Sequence, residues 1–284
     1  MLEPSKLEIE LLRSKLQASN VQFEPNGIIR LPSWCRSVKV DVGLSFNAKM
    51  SFEWIERQPH DLVVFAFEPV PANVKQIIAK MQSHPDPAWI SSRLILLPLA
   101  LADKFGSQEF YVTQDSGQSS FLKPTKASIK KIEQVEVVTL ECLLSLIPVE
   151  TMPYIDYLKT DCQGTDLNVL RGAGAAITRF IAITSESETA NYKGSINGIH
   201  QIRKYLAVFG FVQINSRNPL KALIGDLIKR FDWLHTLFVL ARKAKVESGR
   251  ITIAGISMEV EDPTFLNSSY TSLPGRNVSI FQKG

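Results

Sequence analysis

Val38-Lys39-Val40-Asp41-Val42-Gly43-Leu44-Ser45-Phe46-Asn47-Ala48 is the stretch whose reading decides the fold. Its left half is short, β-branched and apolar, which suits a strand buried on both faces of a parallel sheet. The character changes at Gly43, and Ala48 to Gln58 reads as a helix with Met50, Phe52, Trp54 and Ile55 among its apolar positions. A strand that runs through a glycine turn into a helix places backbone N–H groups at the carboxyl edge of the sheet. Open α/β sheets bind nucleotide-like ligands at that edge.

Downstream, Leu62-Val63-Val64-Phe65-Ala66-Phe67 is a second buried strand, and Glu68 follows it, 25 residues after Gly43. An acidic residue at this place and spacing grips the hydroxyls of a ribose. Pro69 and Pro71 then open a helix. Further strands are predicted at 94–97, 155–160, 180–184 and 211–215, with helices at 72–83, 140–146, 165–176 and 196–209. This alternation predicts an α/β fold built on a doubly wound parallel sheet. Short extra strands at 109–112 and 135–138 flank a loop containing Ser119 and Ser120. Residues 1–37 read as an N-terminal helix and a hairpin through Pro25-Asn26-Gly27, and 38–284 as the main domain. Gly172-Ala173-Gly174 imitates a dinucleotide fingerprint but follows a helix, so it reads as a helix ending.

Three segments together resemble the FkbM-type methyltransferases. They are Asp41-Val42-Gly43, Phe67-Glu68-Pro69-Val70-Pro71-Ala72-Asn73, and the stretch from Asp156 to Gly172 that includes Lys159-Thr160-Asp161-Cys162-Gln163-Gly164-Thr165-Asp166. The resemblance spans about Val38 to Ser216, and the third segment is the most specific. It implies S-adenosylmethionine as cofactor, a Rossmann-like class I methyltransferase fold, and methyl transfer to oxygen acceptors. It also implies an antiparallel edge strand, for which Ile256 to Leu266 is the candidate. Leu44-Ser45-Phe46-Asn47 stands where the family has Ala-Asn-Ile-Gly, and Gln163 where it commonly has glutamate.

Net charge is +4 across 284 residues, too little to demand a nucleic-acid partner. No apolar run approaches a membrane span, and Met1 to Asn20 carries no signal-peptide core. Cys35, Cys142 and Cys162 are widely spaced and odd in number, which suits reduced thiols in a cytoplasmic protein.

Methyl transfer needs an oriented nucleophile and, for a hydroxyl, a group that takes its proton. Asp161, at the end of the strand over 155–160, heads the catalytic candidates, with Lys159 in the strand itself. Asp166 is either a helix-start charge or a substrate contact. Glu186 resembles the family's acidic residue after the next strand, and His200 sits on the following helix. The cofactor candidates are Asp41, Gly43, Ser45 and Asn47 at the first turn, with Glu68 and Pro69 at the second strand tip. The resemblance adds Ala100 beside the adenine, and the Ser119–Ser120 pair near cofactor or substrate. No spacing demands a metal.

Leu220 to Ala241 carries apolar residues at i, i+3, i+4 and i+7, which predicts an amphipathic helical insertion over 219–250. Between Pro219 and Arg250, seven cations face three carboxylates, so the segment holds the chain's whole charge excess. Trp233 and Phe238 could anchor at a lipid boundary. This predicts a cap over the acceptor pocket, a dimer element, or a peripheral membrane contact toward a lipid-linked acceptor. Two other readings compete with the methyltransferase. A nicotinamide-dependent oxidoreductase could use the same Glu68, but the chain lacks a three-glycine turn and a Tyr-x-x-x-Lys pair. The other is a degenerate adenosylmethionine-binding scaffold.

Overall fold

A computed structural model of the protein describes residues 3–213, 235–240, 244–247, 250–253 and 256–259. In chain order the helices are α1 Lys6–Ala18, α2 Lys49–Arg57, α3 Pro71–Gln82, α4 Pro87–Ser91, α5 Leu140–Leu146, α6 Asp166–Arg171 and α7 Ile199–Val208. The strands are β1 Ser37–Val42, β2 Leu62–Phe67, β3 Leu94–Leu97, β4 Ala100–Ala102, β5 Gly106–Thr113, β6 Ile129–Thr139, β7 Ile155–Thr160, β8 Phe180–Glu186, β9 Phe211–Gln213, β10 His235–Leu240, β11 Ala244–Glu247, β12 Arg250–Ile253 and β13 Ile256–Glu259.

Seven strands form the central sheet in the order β3-β2-β1-β7-β8-β10-β9. β1 pairs parallel with β2 and with β7, and β2–β3 and β7–β8 are parallel too. β1, β2 and β7 are buried at every position, as strands covered on both faces must be. One face packs on Leu12 and Leu16 of α1, Leu143 of α5, Leu170 of α6 and Ile202 of α7. The other packs on Phe52, Trp54 and Ile55 of α2, Ile77 of α3 and Ile90 of α4.

α1 belongs to this body rather than beside it. Glu8, 3% exposed, accepts the Thr139 N–H at 2.6 Å and its hydroxyl at 2.7 Å, and the Ser19 hydroxyl donates to the Leu96 carbonyl at 2.7 Å. Gly172 caps α6 as the helix-ending reading expects, and a Cβ there would lie 2.1 Å from the Ala102 carbonyl oxygen. The predicted extra strands are real and longer: β4, β6 and β5 form a small sheet beside the main one.

The carboxyl-terminal part corrects the sequence reading. β10 is a strand, not the end of a helix, and it runs antiparallel between β8 and β9. The antiparallel strand is therefore penultimate in the sheet and comes from His235–Leu240, while β13 at Ile256–Glu259 belongs to a separate β11-β12-β13 sheet. Phe238, a residue of the helical stripe, suits a strand as well, Thr236 and Val239 beside it are β-branched, and two flanking strands settle the choice. The predicted helix over 220–234, with its cap, dimer and membrane readings, lies outside the described residues. Among the described residues, no helix is long and apolar enough to cross a membrane.

Candidate functional site

The sheet order reverses between β1 and β7, and a cleft of about 570 Å³, open to solvent, lies at their carboxyl ends. Its walls include Gly43 and Ser45 after β1, Glu68, Pro69 and Val70 after β2, and Leu99, Ala100 and Leu101 before and in β4. Ser119, Phe110, Phe121, Asp161, Cys162 and Gln163 complete much of the lining. Of the candidates read from sequence, Gly43, Ser45, Glu68, Pro69, Ala100, Ser119 and Asp161 face this cleft.

The turn after β1 is held tightly. Gly43 has φ +78°, and a Cβ there would sit 2.0 Å from the Asp161 carbonyl oxygen. Its N–H donates to the Phe67 carbonyl at 3.1 Å, and the Ser45 N–H donates to the Glu68 carboxylate. These N–H groups, expected to meet a ligand, instead tie the first turn to the second strand tip. Four described non-glycine residues have positive φ, and Ser45, Ala48 and Gln163 among them lie on the turns after β1 and β7. Backbone strain gathers at functional sites, and here it gathers at the cleft.

Glu68 is 3% exposed. Its Oε1 accepts the Val70 N–H at 2.9 Å and the Asn73 amide at 3.1 Å. Burial pushes its carboxyl up to about 7, against the pull of those donors. A buried acceptor carboxylate beside an apolar wall fits a ribose and an adenine. Phe110 and Phe121 meet edge to face at 5.1 Å in that wall.

Behind the cleft, Asp41 and Lys159 form a buried ion pair. The Lys159 ammonium lies 3.3 Å from Asp41 Oδ1 and 3.7 Å from Asp161 Oδ2, and donates to the Gly43 carbonyl at 2.7 Å. Ser51 donates to Asp41 Oδ2 at 2.7 Å. Burial favours neutral forms of both partners and pushes the Asp41 carboxyl up. For Lys159 the burial effect is overcome by Asp41 and Asp161, which hold it firmly protonated. Lys159, a catalytic candidate from sequence, is therefore a fixed cation and not a base. Asp41 and Lys159 support the turns without lining the cleft.

Asp161 and Glu186 come together through a residue the sequence reading noted only as a departure. The Gln163 side-chain amide donates to Asp161 Oδ1 at 2.7 Å and to Glu186 Oε2 at 3.0 Å. Its Oε1 accepts the Tyr192 hydroxyl at 2.6 Å. Glu186 is 5% exposed and sits behind Asp161 and Gln163; burial, then Asp161 and Asp166, push its carboxyl well up, and it hydrogen-bonds Asp161. Tyr192 carried no local signal, because only the loop between β8 and α7 brings it here.

Four other candidates fall elsewhere. The Asn47 side chain accepts the Lys49 N–H at 3.2 Å and turns toward α2. The Ser120 hydroxyl donates to the Gln163 carbonyl at 2.8 Å, bracing the loop from outside the cleft. His200 lies exposed on α7, 3.0 Å from Arg203, and is absent from the cleft lining. Asp166 is consumed by the Cys162 N–H at 3.0 Å and the Asn197 amide at 2.9 Å, which makes it a structural helix-start residue. Among the described residues, no three His, Cys, Asp or Glu side chains are grouped to hold a metal ion.

The model of the methyltransferase FkbM domain matches residues 41–212. No curated protein sequence matches the chain. Among solved structures, it is similar to the methyltransferase FkbM of Methylobacillus flagellatus KT at 14% identity and a TM-score of 0.44, covering 78% of this chain and 47% of that one. The chain thus spans about half the length of that relative. It is also similar to the magnesium protoporphyrin IX methyltransferase of Synechocystis PCC 6803, solved with bound S-adenosylmethionine, at 10% identity and a TM-score of 0.35, covering 81% of this chain and 76% of that one. A human methyltransferase 10 domain containing protein is similar at 8% identity and a TM-score of 0.31, covering 84% and 83%. Because the family model covers more than half of its length, this chain belongs to the FkbM family of S-adenosylmethionine-dependent methyltransferases.

Proposed function

We infer that the protein binds S-adenosylmethionine in this cleft and methylates a hydroxyl of a small-molecule, sugar or lipid-like acceptor. The observation that carries the reading is a cleft lined both by the buried Glu68 carboxylate and by Asp161. In this reading Glu68 accepts from ribose hydroxyls and the adenine packs against Phe110 and Phe121, which is supported by their shared lining of the cleft. When bound, the cofactor supplies an electrophilic methyl group on sulfur. The chain's own task is then to orient the acceptor hydroxyl and take its proton, and Asp161 is the carboxylate at the cleft that can do both. The modest net charge favours an acceptor other than nucleic acid, and three free cysteines fit a cytoplasmic setting.

Calorimetry tests the cofactor half. Glu68→Ala is expected to weaken S-adenosylmethionine binding by about 1–3 kcal/mol, as for losing hydrogen bonds to a charged group. The ionised carboxylate is the better acceptor, and its midpoint near 7 lies above the ordinary glutamate value. Wild-type affinity should therefore fall as pH drops through about 7, by at most tenfold per unit. Glu68→Gln should show no such dependence. Unchanged affinity in a well-folded Glu68→Ala protein would remove Glu68 from the cofactor site.

Labelled methyl transfer to a panel of hydroxyl compounds tests the acceptor half. Asp161→Asn should lower turnover by roughly 10²-fold or more while leaving cofactor affinity within a few fold, as expected for a general base. Collapse of cofactor binding with turnover intact at saturation would show that Asp161 serves the cofactor instead.

A further inference from the structure

Gln163 stands where three groups with opposite needs converge. Its backbone is held at φ +52°, a conformation that glutamine seldom takes, and its carbonyl is anchored by the Ser120 hydroxyl at 2.8 Å. That anchoring aims the side-chain amide between Asp161 and Glu186, at 2.7 and 3.0 Å. An amide has one acceptor end and one donor end. Turned the other way, Oε1 would face two carboxyl groups and would need a proton on each. The Tyr192 hydroxyl has one proton and two acceptors in reach, Gln163 Oε1 at 2.6 Å and the Gln118 carbonyl at 3.1 Å; donated along the shorter contact, it favours the observed sense.

The remaining charges around the pair are accounted for. Lys159 lies 3.7 Å from Asp161 on the side away from Gln163's bond, and is itself shared with Asp41. Asp166 is engaged by Cys162 and Asn197, and Glu188 by the Ala190 and Asn191 N–H groups and the Asn191 amide. Burial keeps the Cys162 thiol and the Tyr192 phenol neutral. Two carboxyl groups in hydrogen-bond contact then share one cation and one two-donor amide, which leaves room for a single ionised member.

We propose that Gln163, oriented by Tyr192, is a positioning residue that holds Asp161 and Glu186 in a state with one shared proton, so that Asp161 rather than Glu186 carries the pair's negative charge at the cleft. The role in catalysis rests on the methyltransferase reading above, but the proton state does not, and it is measured without cofactor or acceptor. In the full chain, the carboxyl carbons of Asp161 and Glu186 are followed by carbon-13 NMR from pH 4 to 10, assigned by Asp161→Asn and Glu186→Gln. In wild type, Asp161 is expected to be ionised at pH 7 and Glu186 protonated. Gln163→Met removes both donors and should raise the Asp161 midpoint by about one unit, and Tyr192→Phe should raise it less in the same direction. A merely structural role would lower the melting temperature and leave these midpoints in place.

A second measurement stands if Gln163→Met does not fold. Gln163→Glu adds a third carboxyl group to the site and should take up a proton with it. Its electrophoretic mobility at pH 7 should match wild type, whereas Gln76→Glu on the exposed face of α3 should shift by about one charge. Three outcomes overturn the proposal: Glu186 ionised at pH 7 in wild type, an unmoved Asp161 midpoint in folded Gln163→Met, or a Gln163→Glu shift equal to that of the control. Failure of wild type to bind S-adenosylmethionine would instead overturn the cofactor reading and leave the proton state standing.

Discussion

Lys159→Met is expected to destabilise the protein by about 3–5 kcal/mol at pH 8, the range for breaking a buried ion pair from one side. Asp41 is 1% exposed, and the Ser51 hydroxyl alone cannot replace an ammonium 3.3 Å away. The variant also loses the bond from Lys159 to the Gly43 carbonyl, so the turn after β1 loosens with it. The loss should shrink as pH falls. Without its cation the buried Asp41 carboxyl binds a proton more tightly folded than unfolded, and stability then rises toward acid pH. Adding Asp41→Asn should recover part of the loss at pH 8. Urea denaturation at pH 5 and pH 8 measures all three quantities. A cost below about 1 kcal/mol at pH 8, the level of an exposed pair, would show that the pair is not sealed from water.

Gly43→Ala should be comparably severe, for a different reason. A left-handed backbone costs an alanine roughly 1–2 kcal/mol. The added Cβ must also displace the Asp161 carbonyl, 2.0 Å away and part of the backbone that continues β7. Since the Asp161 N–H is bonded to the Val42 carbonyl at 3.0 Å, that movement pries apart the tips of β1 and β7. Gly194→Ala supplies the control: its φ is +79°, with nothing within 4 Å of a Cβ. The control should lose only the backbone penalty, and Gly43→Ala should exceed it by about 2 kcal/mol or more, as overpacking against a rigid neighbour does. Equal costs at the two positions would mean that the turn can open without penalty.

The sequence by itself determined the parallel strands of the central sheet and the position of Glu68 at the tip of one of them. Leu62–Phe67 and Ile155–Thr160 are legible as buried strands because burial on both faces leaves a short run with no polar side, and the glycine turns and proline helix starts are written in consecutive residues. Glu68 was legible for the same reason, since its place follows from the strand it ends. Tertiary structure decided what depends on residues far apart in the chain. Lys159 is a fixed cation because β1 lays Asp41 beside β7, and no local pattern carries that register. Gln163 meets Tyr192 only because the loop after β8 folds back over the turn after β7. His200 and Asn47 fit the chemistry by type but face elsewhere, since residue type does not fix direction. At His235–Leu240 the apolar spacing suited helix and strand alike, and pairing with β8 and β9 decided it: hydrogen bonds to two neighbouring strands outweigh a local preference that barely separates the alternatives.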